Sequence, residues 1–418
     1  MTRRIAVRVM LLWGLAVALL ATSPAPALAQ TPPLPQNCVG GLLGRAQALM
    51  CYPPAGAWNG DLVVFAHGYV APADGLPQIP WDQLQLPDGT SIPGMVMSLG
   101  FAFATTSYSD DGLAIVDGVQ DLTNLVDAFA KGPWGSPDHV YVVGASEGGL
   151  VTTLAVEQSP LVFSGGVATC GPVGDFRKQI NYWGDFRVLF DFYFPRLMPG
   201  TVTSVPAVSQ EQWERVYAPG IAAALAAKPA LLDKLLRVSR APFDPAKPQT
   251  KLETALGILW YSAFATMDAQ AKLGGQPFDN SKRLYTGSGN DLWLNLLVPR
   301  YHADLPALAA IEAHYQTTGR LEAPLVTLHT TGDPIVPYWH EPLYSLKALL
   351  GGSGLLHANL PVLRYGHCSF EPAEALVALG LLVLKVEGRE LLSAERVLTT
   401  EKARQRYRSL ARANGLRR

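Results

Sequence analysis

The sequence predicts an α/β protein: a mostly parallel central sheet with helices on both faces, interrupted by an inserted helical cap. Three observations carry that expectation. Short aliphatic and β-branched runs alternate with helical periodicity over residues 46–170, and the alternation resumes over 323–385, the pattern of βαβ units. Between them, over about 172–320, strand patterns lapse and apolar residues recur at helical spacing. Hydrophobic residues make up 49% and charged residues 16% of the 418 positions, which supplies a large core and excludes wholesale disorder.

The chain opens on a targeting pattern. Arg3, Arg4 and Arg8 precede an apolar run over 9–20, and Ala27-Leu28-Ala29 is a small-x-small cleavage signal. A signal peptide over 1–29 is therefore expected, with a secreted or periplasmic mature chain starting near Gln30. The Arg3-Arg4 pair leaves twin-arginine export open beside the general route. The run is too short to span a bilayer, and no later stretch is long and apolar enough, so no stable membrane insertion is expected after cleavage.

A proline-rich leader over 31–36 leads to a strand at 47–52, a turn at 53–60 and a fully buried strand at 62–66 that ends in His67-Gly68-Tyr69. Residues 71–94, dense in Pro, Gly and Asp, read as a long loop. A strand at 101–107 is followed by a helix from Asp111, with Ile115, Val119, Leu122, Leu125, Val126 and Phe129 on one face. Strands at 140–144 and 165–169 bracket a buried helix at 150–156. In the insertion an aromatic run covers 182–194, which could line a pocket or pack the cap onto the core. Helices are expected over 221–238, 255–273 and 305–315, and the glycine-rich 286–290 reads as a loop. The second core part has strands at 324–329 and 358–363 and helices at 343–350 and 371–384. The domain organisation that results is core over 30–171 and 321–386, cap over 172–320, and a basic, solvated helical tail over 387–418.

The chemistry centres on Gly144-Ala145-Ser146-Glu147-Gly148, a G-x-S-x-G pattern between a strand and a helix. A serine there stands clear of the backbone, and glycines two positions away allow a tight turn. The helix that follows aims free N–H groups at developing negative charge. A serine nucleophile needs an imidazole base and an acid to orient it. Asp333 and His367 each follow a predicted strand, in the order Ser, Asp, His. His67-Gly68-Tyr69, the elbow, Gly332-Asp333-Pro334-Ile335-Val336-Pro337 and Gly366-His367 together resemble the α/β-hydrolase-fold serine hydrolases, secreted esterases and lipases with a cap among them. That resemblance covers about 46–170 and 323–385. It implies Ser146 as nucleophile, His367 as base and then acid, and Asp333 as orienting carboxylate, with the backbone N–H groups of Tyr69 and Glu147 as oxyanion hole.

Plainer readings stand beside these. Asp333 could serve only the amides of its turn, His329 reads as a core histidine with a hydrogen bond, and His67 as a residue shaping the oxyanion loop. Glu147 fits an acid favoured by the helix dipole; a sharper reading has it repel anionic substrates or hold a cationic one. The four cysteines favour two disulfides in an exported chain, with three pairings possible. Proximity favours Cys38 with Cys51, which leaves Cys170 with Cys368 beside the histidine; four reduced thiols are the alternative. Bridges next to catalytic histidines occur in some secreted feruloyl esterases and tannases of this fold, although here no cysteine adjoins Ser146.

A formal net charge of −1 gives no electrostatic case for nucleic acid. No metal, nucleotide or dinucleotide motif is present, so no cofactor and no metal are expected. The reading reached from sequence is an exported serine hydrolase acting on a small-molecule or polymeric ester. An aminopeptidase-like or prolyl-peptidase-like exopeptidase with the same triad, anchoring a peptide terminus through Asp185, Asp191 or Glu253, is the nearest alternative. A non-catalytic ligand-binding member of the fold is a more distant one.

Overall fold

Eight strands hydrogen-bond into one sheet: β1 (Cys38–Leu43), β2 (Ala46–Cys51), β3 (Leu62–Ala66), β4 (Ala102–Thr106), β5 (Val140–Ala145), β6 (Gly165–Thr169), β7 (Leu325–Gly332) and β8 (His357–Tyr365). The computed structural model describes residues 36–391 and 394–416, within one unit of the chain, 34–418. The expected signal peptide at 1–29 lies outside the described residues. The spatial order is β1-β2-β4-β3-β5-β6-β7-β8. β2 runs antiparallel to β1 and β4, and the remaining neighbours are parallel. This is the α/β-hydrolase fold.

Burial explains the strand sequences. β3, β4 and β6 are buried at every position, as parallel strands covered on both faces must be. β8, at an edge, buries Leu360 and Val362 and exposes Pro361 and Leu363. The sequence does not announce β1, whose two glycines weaken any strand signal. Its register sets Cys38 opposite Cys51, so the first disulfide staples a hairpin and not a loop.

Helices α1 (Ile92–Ser98), α2 (Ile115–Ala130) and α3 (Glu147–Gln158) flank the first strands. The stretch expected to be all loop, 71–94, holds a 3₁₀ turn at Trp81–Leu84, and α1 begins at its end. Ser91 caps this helix, accepting from Gly94 N, and Pro93 sits in its first turn, where a missing N–H costs nothing. α2 and α3 bury Leu122, Leu125, Phe129, Leu150 and Leu154 on one face of the sheet. Met95 and Val96 of α1 pack on the other.

The chain leaves the sheet after β6 and returns at β7. In between come α4 (Phe176–Tyr193), α5 (Gln210–Gln212), a π-helical turn at Trp213–Tyr217, α6 (Ala218–Ala227), α7 (Pro229–Ser239), α8 (Thr250–Leu273), α9 (Asp291–Leu297) and α10 (Leu305–Ala310). The single helix expected over 221–238 is two. Lys228, at φ −134° and ψ 62°, breaks it ahead of Pro229, because the residue before a proline is pushed out of the helical region. The inserted helices have their own core, which includes Phe186, Leu189, Phe190, Ile258 and Leu259 and takes in Ile335 and Val336 from the sheet domain. α11 (His340–Leu350) and α12 (Pro372–Glu387) complete the sheet layers. The tail forms α13 (Ala394–Val397) and α14 (Glu401–Ala413). It is helical as expected but docked, since Leu398, Ala411 and Leu416 are buried with Leu376 and Leu382 of α12.

Candidate active site

Ser146 sits on the turn between β5 and α3 at φ 59° and ψ −122°, a conformation a non-glycine residue holds only when its surroundings enforce it. They do so by backbone-to-backbone packing. A Cβ on Gly144 would lie 2.1 Å from the Gly148 carbonyl oxygen, and one on Gly148 would lie 2.1 Å from that of Ala66. The Ser146 N–H donates to the Thr169 carbonyl at 2.9 Å, tying the elbow to the end of β6.

The three residues singled out in the sequence meet here. His367 Nε2 lies 2.8 Å from Ser146 Oγ, and His367 Nδ1 lies 2.7 Å from Asp333 Oδ2. Asp333 Oδ1 accepts the N–H groups of Ile335 at 2.8 Å and Val336 at 3.0 Å. One oxygen of Asp333 thus serves the amides of its turn and the other faces His367. Burial alone would push this carboxyl up, but the charges and hydrogen bonds of His367 and His329 outweigh it and hold it at about 2.

The histidine loop is fastened on three sides. Cys368 is bridged to Cys170 at the end of β6. Thr330 Oγ1 donates to the Gly366 carbonyl. Arg364 donates to the Ser369 carbonyl and pairs with buried Glu374 at 2.9 Å. Both expected disulfides are present.

Glu147 opens α3, so its N–H has no carbonyl one turn earlier to bond. The Tyr69 N–H makes no hydrogen bond with another described residue. Both belong to the walls around Ser146. The Tyr69 segment is clamped by Gln83, whose Oε1 accepts from Gly68 N at 2.7 Å and whose Nε2 donates to the Tyr69 carbonyl at 3.3 Å. The Tyr108 hydroxyl donates to the His67 carbonyl at 3.0 Å. His67 itself is buried against the Tyr108 ring, and burial lowers its imidazole to about 4, so it shapes the loop as a neutral ring. Neither clamp was legible in sequence, where Gln83 falls in a stretch read as loop.

Glu147 is buried, and its Oε1 accepts from Ala114 N at 2.9 Å. Burial raises its carboxyl to about 8, against the Ala114 hydrogen bond and nearby Lys272. Burial thus favours the uncharged form of this carboxyl.

Two cavities meet at Ser146. One is narrow, about 70 Å³. It is walled by Phe176, Ile180 and Trp183 of α4, Tyr261 and Ala265 of α8, Phe278 and Glu147. The other, about 540 Å³, is lined by His367, Leu86, Ile92, Met95, Phe370, Leu376 and Leu379. Tyr261 belongs to both walls, and its hydroxyl is close enough to Ser146 to interact with it. The aromatic run of α4 serves two ends: Trp183 walls the narrow cavity, while Phe186 and Phe190 fill the core of the insertion.

Two groups have metal-ligand composition among the described residues. Cys170, His367 and Cys368 are taken up by the disulfide and the hydrogen bonds to Ser146 and Asp333. Asp61, His139 and Glu387 lie at the opposite end of the sheet, where Arg389 pairs with both carboxylates.

Comparison with known proteins bears on this arrangement. The prolyl oligopeptidase family matches residues 99–182, from just before β4 through the elbow into α4. No curated protein matches. Among solved structures the chain is similar to Candida antarctica lipase A in its closed state, with 14% identity over 87% of this chain and 82% of that one and a TM-score of 0.46. Feruloyl esterase B from Aspergillus oryzae aligns at 14% identity over 82% of this chain and 80% of that one, TM-score 0.38. Pyrococcus horikoshii acylaminoacyl peptidase aligns at 14% identity over 77% of this chain but only 36% of its own length, TM-score 0.37. Likeness at this level carries no substrate from any of them to this chain.

Proposed function

We propose that this α/β-hydrolase-fold serine hydrolase cleaves carboxylic esters of compact acyl groups through an acyl-enzyme on Ser146. One observation carries the reading: of the two cavities that meet at Ser146, His367 lines only the wider. Ser146 gives its proton to His367 Nε2 as Oγ attacks the carbonyl carbon, and Asp333 accepts from Nδ1–H and stabilises the imidazolium. The oxyanion forms against the N–H groups of Tyr69 and Glu147. Collapse expels an alkoxide that must collect the proton from His367, so the alcohol belongs in the cavity His367 lines. The acyl group then belongs in the other, which is narrow and mostly apolar. Water follows the alcohol out of the wide side, is activated by the same imidazole and releases the acid.

The exopeptidase alternative needs a charge to hold a peptide terminus. Asp185 is engaged by the Tyr285 hydroxyl and Arg283, and Asp191 by Arg187. Neither these nor Glu253 lines either cavity, so none of the three expected anchors is in place; the carboxyl residues that do line them are Glu147 in the narrow one and Asp82 in the wide one. A non-catalytic binding role is disfavoured by the closed hydrogen-bond chain from Ser146 to Asp333. Two disulfides support work in an oxidising compartment. Among the described residues no helix is long and apolar enough to cross a membrane.

The test is turnover of p-nitrophenyl esters from acetate to palmitate beside aminoacyl and prolyl p-nitroanilides, with wild type and Ser146→Ala. The expected result is an optimum at short acyl chains, tolerance of bulky alcohols, and loss of several orders of magnitude in the variant. Dominant anilide turnover would move the assignment to a peptidase.

A further inference from the structure

We propose that His329 is a positioning residue of the reaction: a buried imidazolium held between Asp333 and Glu341, with Nε2 on the Val336 carbonyl, that governs how strongly Asp333 acts on His367. The inference rests on the reading of Ser146, His367 and Asp333 as the triad.

The charge follows from the partners. His329 Nε2 lies 2.8 Å from the Val336 carbonyl oxygen, which can only accept, so Nε2 carries a hydrogen. The same Nε2 is 3.4 Å from Asp333 Oδ2, the oxygen that faces His367. His329 Nδ1 lies 2.9 Å from Glu341 Oε1, and Glu341 Oε2 accepts from Asn359 Nδ2 at 2.9 Å. Both ring nitrogens therefore face acceptors. His329, Asp333 and Glu341 are each fully buried. Two carboxylates and one imidazole in so dry a place are tolerable only if the imidazole is the cation between them. Burial on its own would lower this histidine, but Asp333 and Glu341 together raise it to about 10.

The other titratable neighbours do not take over that role. His340, from the first turn of α11, is buried and held well below its usual range by burial. It accepts from Gly174 N and faces Gln179 Oε1 through its other nitrogen, as a neutral ring. Tyr338 presents its ring at right angles to His329. His357, on β8, is also lowered by burial, with Glu341 opposing. His367 meets the same Asp333 oxygen as His329, and Tyr182 donates to the Pro334 carbonyl.

Catalytically, the cation keeps Asp333 ionised and shares its charge. When His367 accepts the serine proton, Asp333 is already partly neutralised, which tempers the basicity it confers. Removing the cation should strengthen the pull of Asp333 on His367, and removing the anion behind it should weaken that pull.

The experiment is the pH profile of kcat/KM on a p-nitrophenyl ester for wild type, His329→Gln, Glu341→Gln and the double variant. His329→Gln is expected to move the acid limb upward by about half a unit or more and Glu341→Gln to move it downward, with kcat reduced about tenfold or more and KM little changed. The double variant should fall between them. A residue that merely fills the core would not shift the limb in opposite directions. Should the variants misfold, ¹⁵N spectra of the wild-type histidines decide the matter, with both His329 nitrogens protonated up to pH 8. A neutral His329 at pH 8, or single variants with the wild-type limb, would overturn the proposal. Retained turnover in Ser146→Ala would instead sink the triad reading on which it stands.

Discussion

Glu147 shows how one buried side chain next to Ser146 links folding to pH. Its carboxyl is raised from 4.5 to about 8 by burial. A group raised on folding contributes stability that is present below its unfolded value and lost as pH climbs through the folded one. The wild type should therefore lose stability between pH 5 and pH 9 from this residue, on the order of a few kcal/mol. Glu147→Gln does not ionise and can still accept the Ala114 N–H. Thermal melts should give similar Tm values for the two at pH 5 and a variant several degrees more stable at pH 9. An unchanged gap across that range would mean the carboxyl is not protonated in the fold. Asp333 has the opposite sign: held at about 2, it contributes stability above about pH 4 that is lost as pH falls towards 2.

At the level of elements, the two disulfides differ in what they tie together. Cys38–Cys51 joins paired positions of one hairpin across 13 residues of sequence. Cys170–Cys368 joins the end of β6 to the His367 loop across 198 residues, and so constrains far more of the unfolded chain. Loop-closure entropy puts the first at about 3 kcal/mol and the second at about 5 kcal/mol. The double variant Cys170→Ala/Cys368→Ala should lose more Tm than Cys38→Ala/Cys51→Ala. It alone should also lower kcat, since the bridge adjoins His367, the proposed base. Equal melting losses and wild-type kcat in both would show that Thr330 and Arg364 hold the loop without the bridge. The pairing was within reach of sequence because hairpin cysteines lie close in the chain. The strand β1 was not, because Val39 and Leu42 are exposed at a sheet edge and leave no alternating pattern to read. Nor was α1, whose Ser91 cap and Pro93 are the same residue types that mark loops.

Across the whole molecule, α14 reaches back to the His367 loop. Arg406 donates to Glu374 at 3.1 Å, and Glu374 also pairs with Arg364, which holds the Ser369 carbonyl. Leu398 and Leu416 bury themselves on the same face, each contributing about 1.5–3 kcal/mol. A chain ended at residue 391 should melt several degrees lower while keeping measurable esterase turnover. A tail that only decorates the surface would leave Tm where it is.

The residues themselves determined the elbow, the Ser, Asp and His order, the alternating core and the helical character of the insertion. Each rests on local rules: glycine where backbones touch, apolar period matched to strand or helix, and Ser146, Asp333 and His367 placed just past strands. What only the tertiary structure decided lies between segments remote in sequence. Gln83 became a clamp, Tyr261 a wall shared by two cavities, and the tail a docked helix through contacts that no local pattern encodes. His329 is the sharpest instance. In sequence it is one more histidine in an apolar strand. Its charge depends on Val336 and Glu341, which a turn and a helix fold back onto it in a space too dry to leave two carboxylates without a cation.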